Sequence, residues 1–157
     1  MPHSFQIVAL DHQQFTRYFE MPDDELRQLG IVRRIADESP GFQCRVSLED
    51  AKVGDELILL SYLHQSAASP YRASGPVYVR RTAKQARLPQ DVLPPYATRL
   101  LISMRAYDAE HMMLQANVVD GTAAKMALET LLQSEQVAYV QLHNAKQGCF
   151  TCQVNRA

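Results

Sequence analysis

At 157 residues the chain has the length of one domain, and its 46% apolar and 21% charged content is that of a globular protein, which argues against disorder. A net charge of −1 leaves no global footprint for a nucleic-acid or membrane-surface binder, so neither partner is expected. No stretch of about 18 apolar residues occurs, so no membrane span is expected.

In chain order, Phe5 to Leu10 reads as a strand, and Asp11 as the cap of a helix with Phe15, Tyr18 and Phe19 on one face. Pro22-Asp23-Asp24-Glu25 opens a second helix: proline suits the first turn and the acids suit the positive end of the dipole. Gly30 ends it, Ile31 to Ala36 reads as a strand, and Pro40-Gly41 as a turn. Glu56 to Leu63 is apolar on both parities, the mark of a strand covered on both faces. Ser69 to Pro76 reads as a loop, with Pro76 at the start of a strand over Val77 to Arg81. Arg87 to Pro95 is a proline-rich ordered loop.

The last third alternates. Ile102, Met104 and Ala106 oppose Ser103, Arg105 and Tyr107. After a turn at Asp108-Ala109-Glu110, Met112, Leu114, Ala116 and Val118 oppose Met113, Gln115 and Asn117. Asp120 or Thr122 caps a helix burying Ala124, Ala127, Leu128 and Leu131. Two further strands follow. Val140 and Leu142 oppose Tyr139, Gln141 and His143, and Phe150, Cys152 and Val154 oppose Cys149, Thr151 and Gln153. Short connections imply antiparallel pairing. The expected fold is a single α+β domain over residues 1–157, a mostly antiparallel sheet of about six strands with helices on one face. The other face would carry Arg105, Gln115, Asn117, Gln141, His143, Cys149 and Thr151, and is the place to look for function.

Three cysteines, and no leader in Met1 to Phe5, fit reduced thiols in the cytoplasm. Cys149 and Cys152 have the spacing of a redox or metal pair, but too little chain follows to build a helix on them, and strand parity points them apart. No cofactor or metal is expected, and Cys152 reads as core. Cys149 and His143 flank one tight loop, where a histidine could serve a thiolate nucleophile; the spacing favours the plainer reading, a hydrogen-bonded surface histidine beside an inert thiol, because such pairs are common and unspecific. Cys44, next to Arg45, is a second candidate thiol.

From Arg72 to Arg105 seven basic residues stand against one acid, Asp91, while the first 60 residues lean acidic. Such asymmetry reads either as solvated faces or as an anion-binding patch. The segment Ser69-Pro70-Tyr71-Arg72-Ala73-Ser74-Gly75-Pro76 offers hydroxyls, a guanidinium fork and backbone amides of the kind that hold a carboxylate or phosphate, or it is a stiffened connection.

Four blocks resemble a bacterial family, domain of unknown function 1203: Gly41 to Ala51, Ser69 to Pro76, Arg105 to Asp108, and His143 to Phe150. The resemblance implies a bacterial cytoplasmic protein and supplies no activity. Its blocks hold Cys44, Arg45, Tyr71, Arg72, Ser74, Arg105, Asp108, His143, Asn144 and Cys149, which would converge on one pocket. The leading expectation is a binding domain for a small anionic ligand. Arg72 and Arg105 would hold the anion, Ser74 and the backbone at Gly75 would donate, and His143 and Asn144 would orient it; Arg45, Tyr71 and Asp108 complete the set. The alternative is an enzyme with Cys149, or less favourably Cys44, as nucleophile and His143 as base, acting on a small acidic substrate. A third reading is a structural partner-binding module.

Overall fold

Alternation in the last third builds the larger of two antiparallel sheets. The computed structural model describes residues 3–157; Met1 and Pro2, where the reading for a leader begins, lie outside the described residues. The strands are β1 (Phe5–Val8), β2 (Val32–Ile35), β3 (Glu56–Gln65), β4 (Ala73–Arg80), β5 (Leu101–Tyr107), β6 (Met113–Asp120), β7 (Tyr139–Asn144) and β8 (Phe150–Arg156). The α-helices are α1 (Thr16–Phe19), α2 (Asp23–Gln28) and α3 (Ala124–Leu131). Five strands pair in the order β1-β8-β7-β5-β6 and three in the order β2-β3-β4. The fold is therefore α+β and antiparallel, with more strands than expected because the three-stranded sheet is complete in itself.

One face of the five-stranded sheet meets α3. Ile102, Met104 and Ala106 share it with Val140, Leu142, Cys152 and Val154, against Ala124, Leu128 and Leu131 of the helix. Asp120 caps the turn into α3, its Oδ1 accepting from the backbone N–H of Thr122 at 2.9 Å. Gly121 is required here: a Cβ would lie 1.8 Å from the carbonyl oxygen of Ala97.

The opposite face was expected to be open. It is covered by the three-stranded sheet and the N-terminal helices. Phe15, Phe19 and Leu26 pack with Ile58, Leu60, Val77, Val79 and Phe150 in a second core. Leu57, on the other face of β3, packs with Ala36 and Ala51, so β3 is covered on both faces in its first half. Pro76 lies inside β4, not at its start, and Ala73 to Gly75 also belong to the strand. Proline is tolerated there because β4 is an edge of its sheet.

Two strands differ from the simple alternation. A register shift between Leu142 and His143 leaves His143 opposite Phe150 and Leu142 opposite Cys152. The extra residue, Thr151, sends Phe150 to the inter-sheet side while Cys152 and Val154 stay under α3. In β6 a shift near Tyr107 pairs Val118 with Ser103 and Ala116 with Arg105. Leu114, Ala116 and Val118 therefore turn away from α3, and Val118 is 57% exposed. Gln115 and Asn117 lie on the α3 side, so they do not join His143 on the polar face. No helix among the described residues is long and apolar enough to cross a membrane.

Candidate functional site

A cavity of about 230 Å³ opens where the two sheets meet, with Gln43, Arg45, Leu59, Tyr78, Asn144 and Cys149 in its wall. Backbone pairing delivers Arg45 to this seam. The N–H of Arg45 donates to the Tyr78 carbonyl of β4 at 3.0 Å, and the Arg45 carbonyl accepts from the N–H of Leu10 at 3.1 Å. Its side chain then crosses to the start of β8. Nε donates to the Phe150 carbonyl at 2.7 Å, Nη1 to the Gln43 carbonyl, and Nη2 to Sγ of Cys149 at 3.2 Å.

Arg45 is 2% exposed, and among the described residues it forms no ion pair with a carboxylate. A buried cation is costly unless an anion or a full set of acceptors meets it. Carbonyl dipoles meet two of its nitrogens. The third meets a sulfur, the one atom in that set able to take a negative charge.

Cys149 sits in the turn between β7 and β8. Gly148, at φ +81°, takes the left-handed conformation the turn needs. The Gly148 N–H donates to the Asn144 carbonyl at 2.7 Å and the Asn144 N–H to the Cys149 carbonyl at 2.9 Å. Asn144 is buried, its Nδ2 donating to Oε1 of Gln43 at 2.9 Å and its Oδ1 accepting from Oγ1 of Thr151 at 3.0 Å. The bulge that displaces Phe150 is thus held by the amide that forms the cavity wall.

His143 does not serve Cys149. Its ring is 0% exposed, and Nδ1 lies 3.0 Å from the Gly148 carbonyl, to which it donates. Burial pushes its pKa down to about 3, so the ring is neutral. With the proton on Nδ1, Nε2 has none for Oε1 of Gln141, 3.3 Å away. That oxygen takes its proton from Nδ1 of His64 at 3.0 Å. His64 is lowered too, mainly by burial and against the bond it donates to Gln141. These rings pack with Phe150 between the sheets as a hydrogen-bonded polar layer, and neither ring lines the cavity at Cys149.

The remaining residues separate as well. Arg72 is exposed and donates to the Ser66 carbonyl of its own loop; Arg105 is half-buried and turns its Nε to Oγ of Ser103 at 3.3 Å. No hydrogen bond joins them, and neither lines the cavity at Cys149. Ser74 and Gly75 are part of an edge strand, so they form no loop cradle. Tyr71 packs edge-on against Tyr107 with centroids 6.0 Å apart. Asp108 shapes the β5–β6 turn, its Oδ1 accepting from the N–H groups of Glu110 and Met112, both at 2.9 Å. Cys44 is sealed at 0% exposure, its Sγ accepting from the N–H of Ser47 at 3.5 Å and of Arg80 at 3.4 Å. It has no access to a substrate. Cys152 lies under α3, where burial pushes its thiol up to about 12.

Of the expected set, then, Arg45, Asn144 and Cys149 come together. Gln43, Leu59 and Tyr78 stand in the same wall and were not foreseen. No periodicity links residue 43 to residue 144; only the position of Gln43 beside Cys44 and Arg45 in the first block pointed that way.

The four blocks are matched by a family whose description is Protein of unknown function (DUF1203), over residues 41–156. The chain belongs to the DUF1203 family. Neither a curated protein nor a solved structure matches it. The DUF1203 match contains every residue named in the cavity wall, while β1, α1, α2 and β2 precede it.

Proposed function

We propose that the cavity at Cys149 carries thiol chemistry on a small acidic substrate. The observation behind this reading is the buried guanidinium of Arg45, which meets no carboxylate among the described residues and points one nitrogen at a cavity-lining sulfur. Cys149 acts as the nucleophile and Arg45 carries the balancing charge. The same positive charge draws an anionic substrate toward the opening. The Asn144 and Gln43 amides are fixed beside the sulfur and offer polar contacts to a substrate oxygen. The thiol proton passes to water as the sulfur attacks, so the removal of His143 from the site is no obstacle.

The same guanidinium favours a second reading, a binding domain in which an anion from solution, and not the sulfur, balances Arg45.

Activated esters separate the two. The sulfur attacks the carbonyl of a 4-nitrophenyl ester, the C–O bond breaks, nitrophenolate leaves and a thioester remains on Cys149. Expected results are one acyl group per chain, mapped by mass spectrometry to Cys149, and faster reaction with the hemisuccinate ester than with the acetate. Arg45→Gln slows it by about tenfold or more, with the melting temperature recorded beside it, and Cys149→Ala abolishes it. Acylation spread over other side chains, or undiminished in Arg45→Gln, removes the enzymatic reading. Protection of the chain by succinate without acylation leaves the binding reading.

A further inference from the structure

We infer that a second cavity, a groove on the far side of Cys44, binds the phosphate of a small phosphomonoester; this does not rest on the reading of Cys149.

The basic middle segment is the starting observation. Three of its seven basic residues form ion pairs within the molecule. Arg80 pairs with Asp55 at 3.3 Å, Arg81 with Glu20 at 2.8 Å and Glu56 at 3.0 Å, and Arg99 with Asp50. Among the described residues Arg72, Lys84, Arg87 and Arg105 form no ion pair, and Arg72 and Arg105 turn to the Ser66 carbonyl and to Ser103; Lys84 and Arg87 are left. Both line one groove of about 530 Å³, together with Arg80, Ser47 and Thr82, and with Glu49 as the one acid of its wall. Its apolar surface comes from Ala86, Leu88 and Pro95.

A second observation concerns the donors. Among the described residues four buried side-chain polar atoms lack a partner, and two of them, Oγ of Ser47 and Nε of Arg80, belong to the lining of this groove. A donor sealed without an acceptor is costly, and a small side-chain shift that admits an anion gives both a partner. The Cys44 thiol beneath holds the backbone N–H groups of Ser47 and Arg80 to one point, which fixes the two donors relative to each other.

Lys84, Arg87, the unpartnered Nε of Arg80 and two hydroxyls, set against Glu49 alone, match an ion with three acceptor oxygens and two charges better than a single carboxylate. The groove is larger than a phosphate alone requires, and Leu88, Ala86 and Pro95 offer an apolar seat for a small organic body.

Titration of the full chain with phenyl phosphate, inorganic phosphate and benzoate, followed by backbone amide NMR, tests this. Saturable shifts are expected at Ser47, Arg80, Lys84 and Arg87, in the affinity order phenyl phosphate, phosphate, benzoate. Lys84→Ala/Arg87→Ala, both exposed positions, should weaken phenyl phosphate by about tenfold or more with an unchanged melting temperature. No saturable shift, equal affinity for benzoate, an unaffected double variant, or shifts confined to Arg45 and Cys149 would each overturn the assignment.

Discussion

The two faces of the five-stranded sheet are made by the same strands and are both closed to water along β7 and most of β8, yet they are held by different physics. Under α3 the buried contacts are apolar: Met104, Leu142, Val140 and Val154 against Leu128 and Leu131. Between the sheets, Gln141 and His143 are as buried as Leu142, and they persist because both are hydrogen-bonded: Gln141 to His64, His143 to the Gly148 carbonyl. A polar residue on an alternating strand therefore signals a different kind of neighbour, not solvent. Cys149 and Cys152 show the same division at closer range. Three residues apart, one opens on a cavity beside a guanidinium and the other is sealed under a helix.

Mutations that exchange the two kinds of burial sharpen this contrast. Leu142→Ala removes hydrocarbon from the α3 face and leaves a cavity; about 3 kcal/mol of unfolding free energy should be lost in urea denaturation. Gln141→Ala, one residue away, costs about 2 kcal/mol for a different reason: it leaves the His64 ring and carbonyl without their partner. If Gln141→Ala were neutral, the inter-sheet layer would be wetter than described.

Acid should strike the polar layer alone. His143 has a folded pKa near 3, below its unfolded value of about 6.5, and His64 is shifted in the same direction. Between those values the unfolded chain binds protons that the native chain refuses. Stability is complete above about pH 6.5 and falls as pH drops toward 3, by up to about 1.4 kcal/mol per pH unit for His143. Denaturation midpoints across pH 4–7 should show this slope, and His143→Gln should flatten it. At the small end, Val118→Thr on the exposed side of β6 should change stability by less than about 0.5 kcal/mol.

How much of this was legible follows from the same contrast. Ile102, Met104, Ala106, Leu128 and Leu142 were placed correctly because a dry core reads directly as hydrophobic period. The turn at Gly30 and the cap at Asp120 were legible because each answers a local backbone need. Phe150 and the β6 stripe were not, since one inserted residue reverses parity and nothing local announces it. The partner of Cys149 was sought in His143, its neighbour in the turn. It is Arg45, brought across 104 residues by the Tyr78 carbonyl of β4. The charge asymmetry resolved in part into ion pairs between the acidic first 60 residues and Arg80, Arg81 and Arg99, leaving Arg72, Lys84, Arg87 and Arg105 without a carboxylate among the described residues.

The reactivity of the three thiols in the native chain tests the account most directly. Iodoacetamide at pH 7, quenched in time and mapped by peptide mass, should label Cys149 first and at least about a hundredfold faster than Cys44 or Cys152, which react only as the chain unfolds. Labelling of all three at one common rate, or of Cys149 last, would contradict a cavity organised around the Arg45–Cys149 contact.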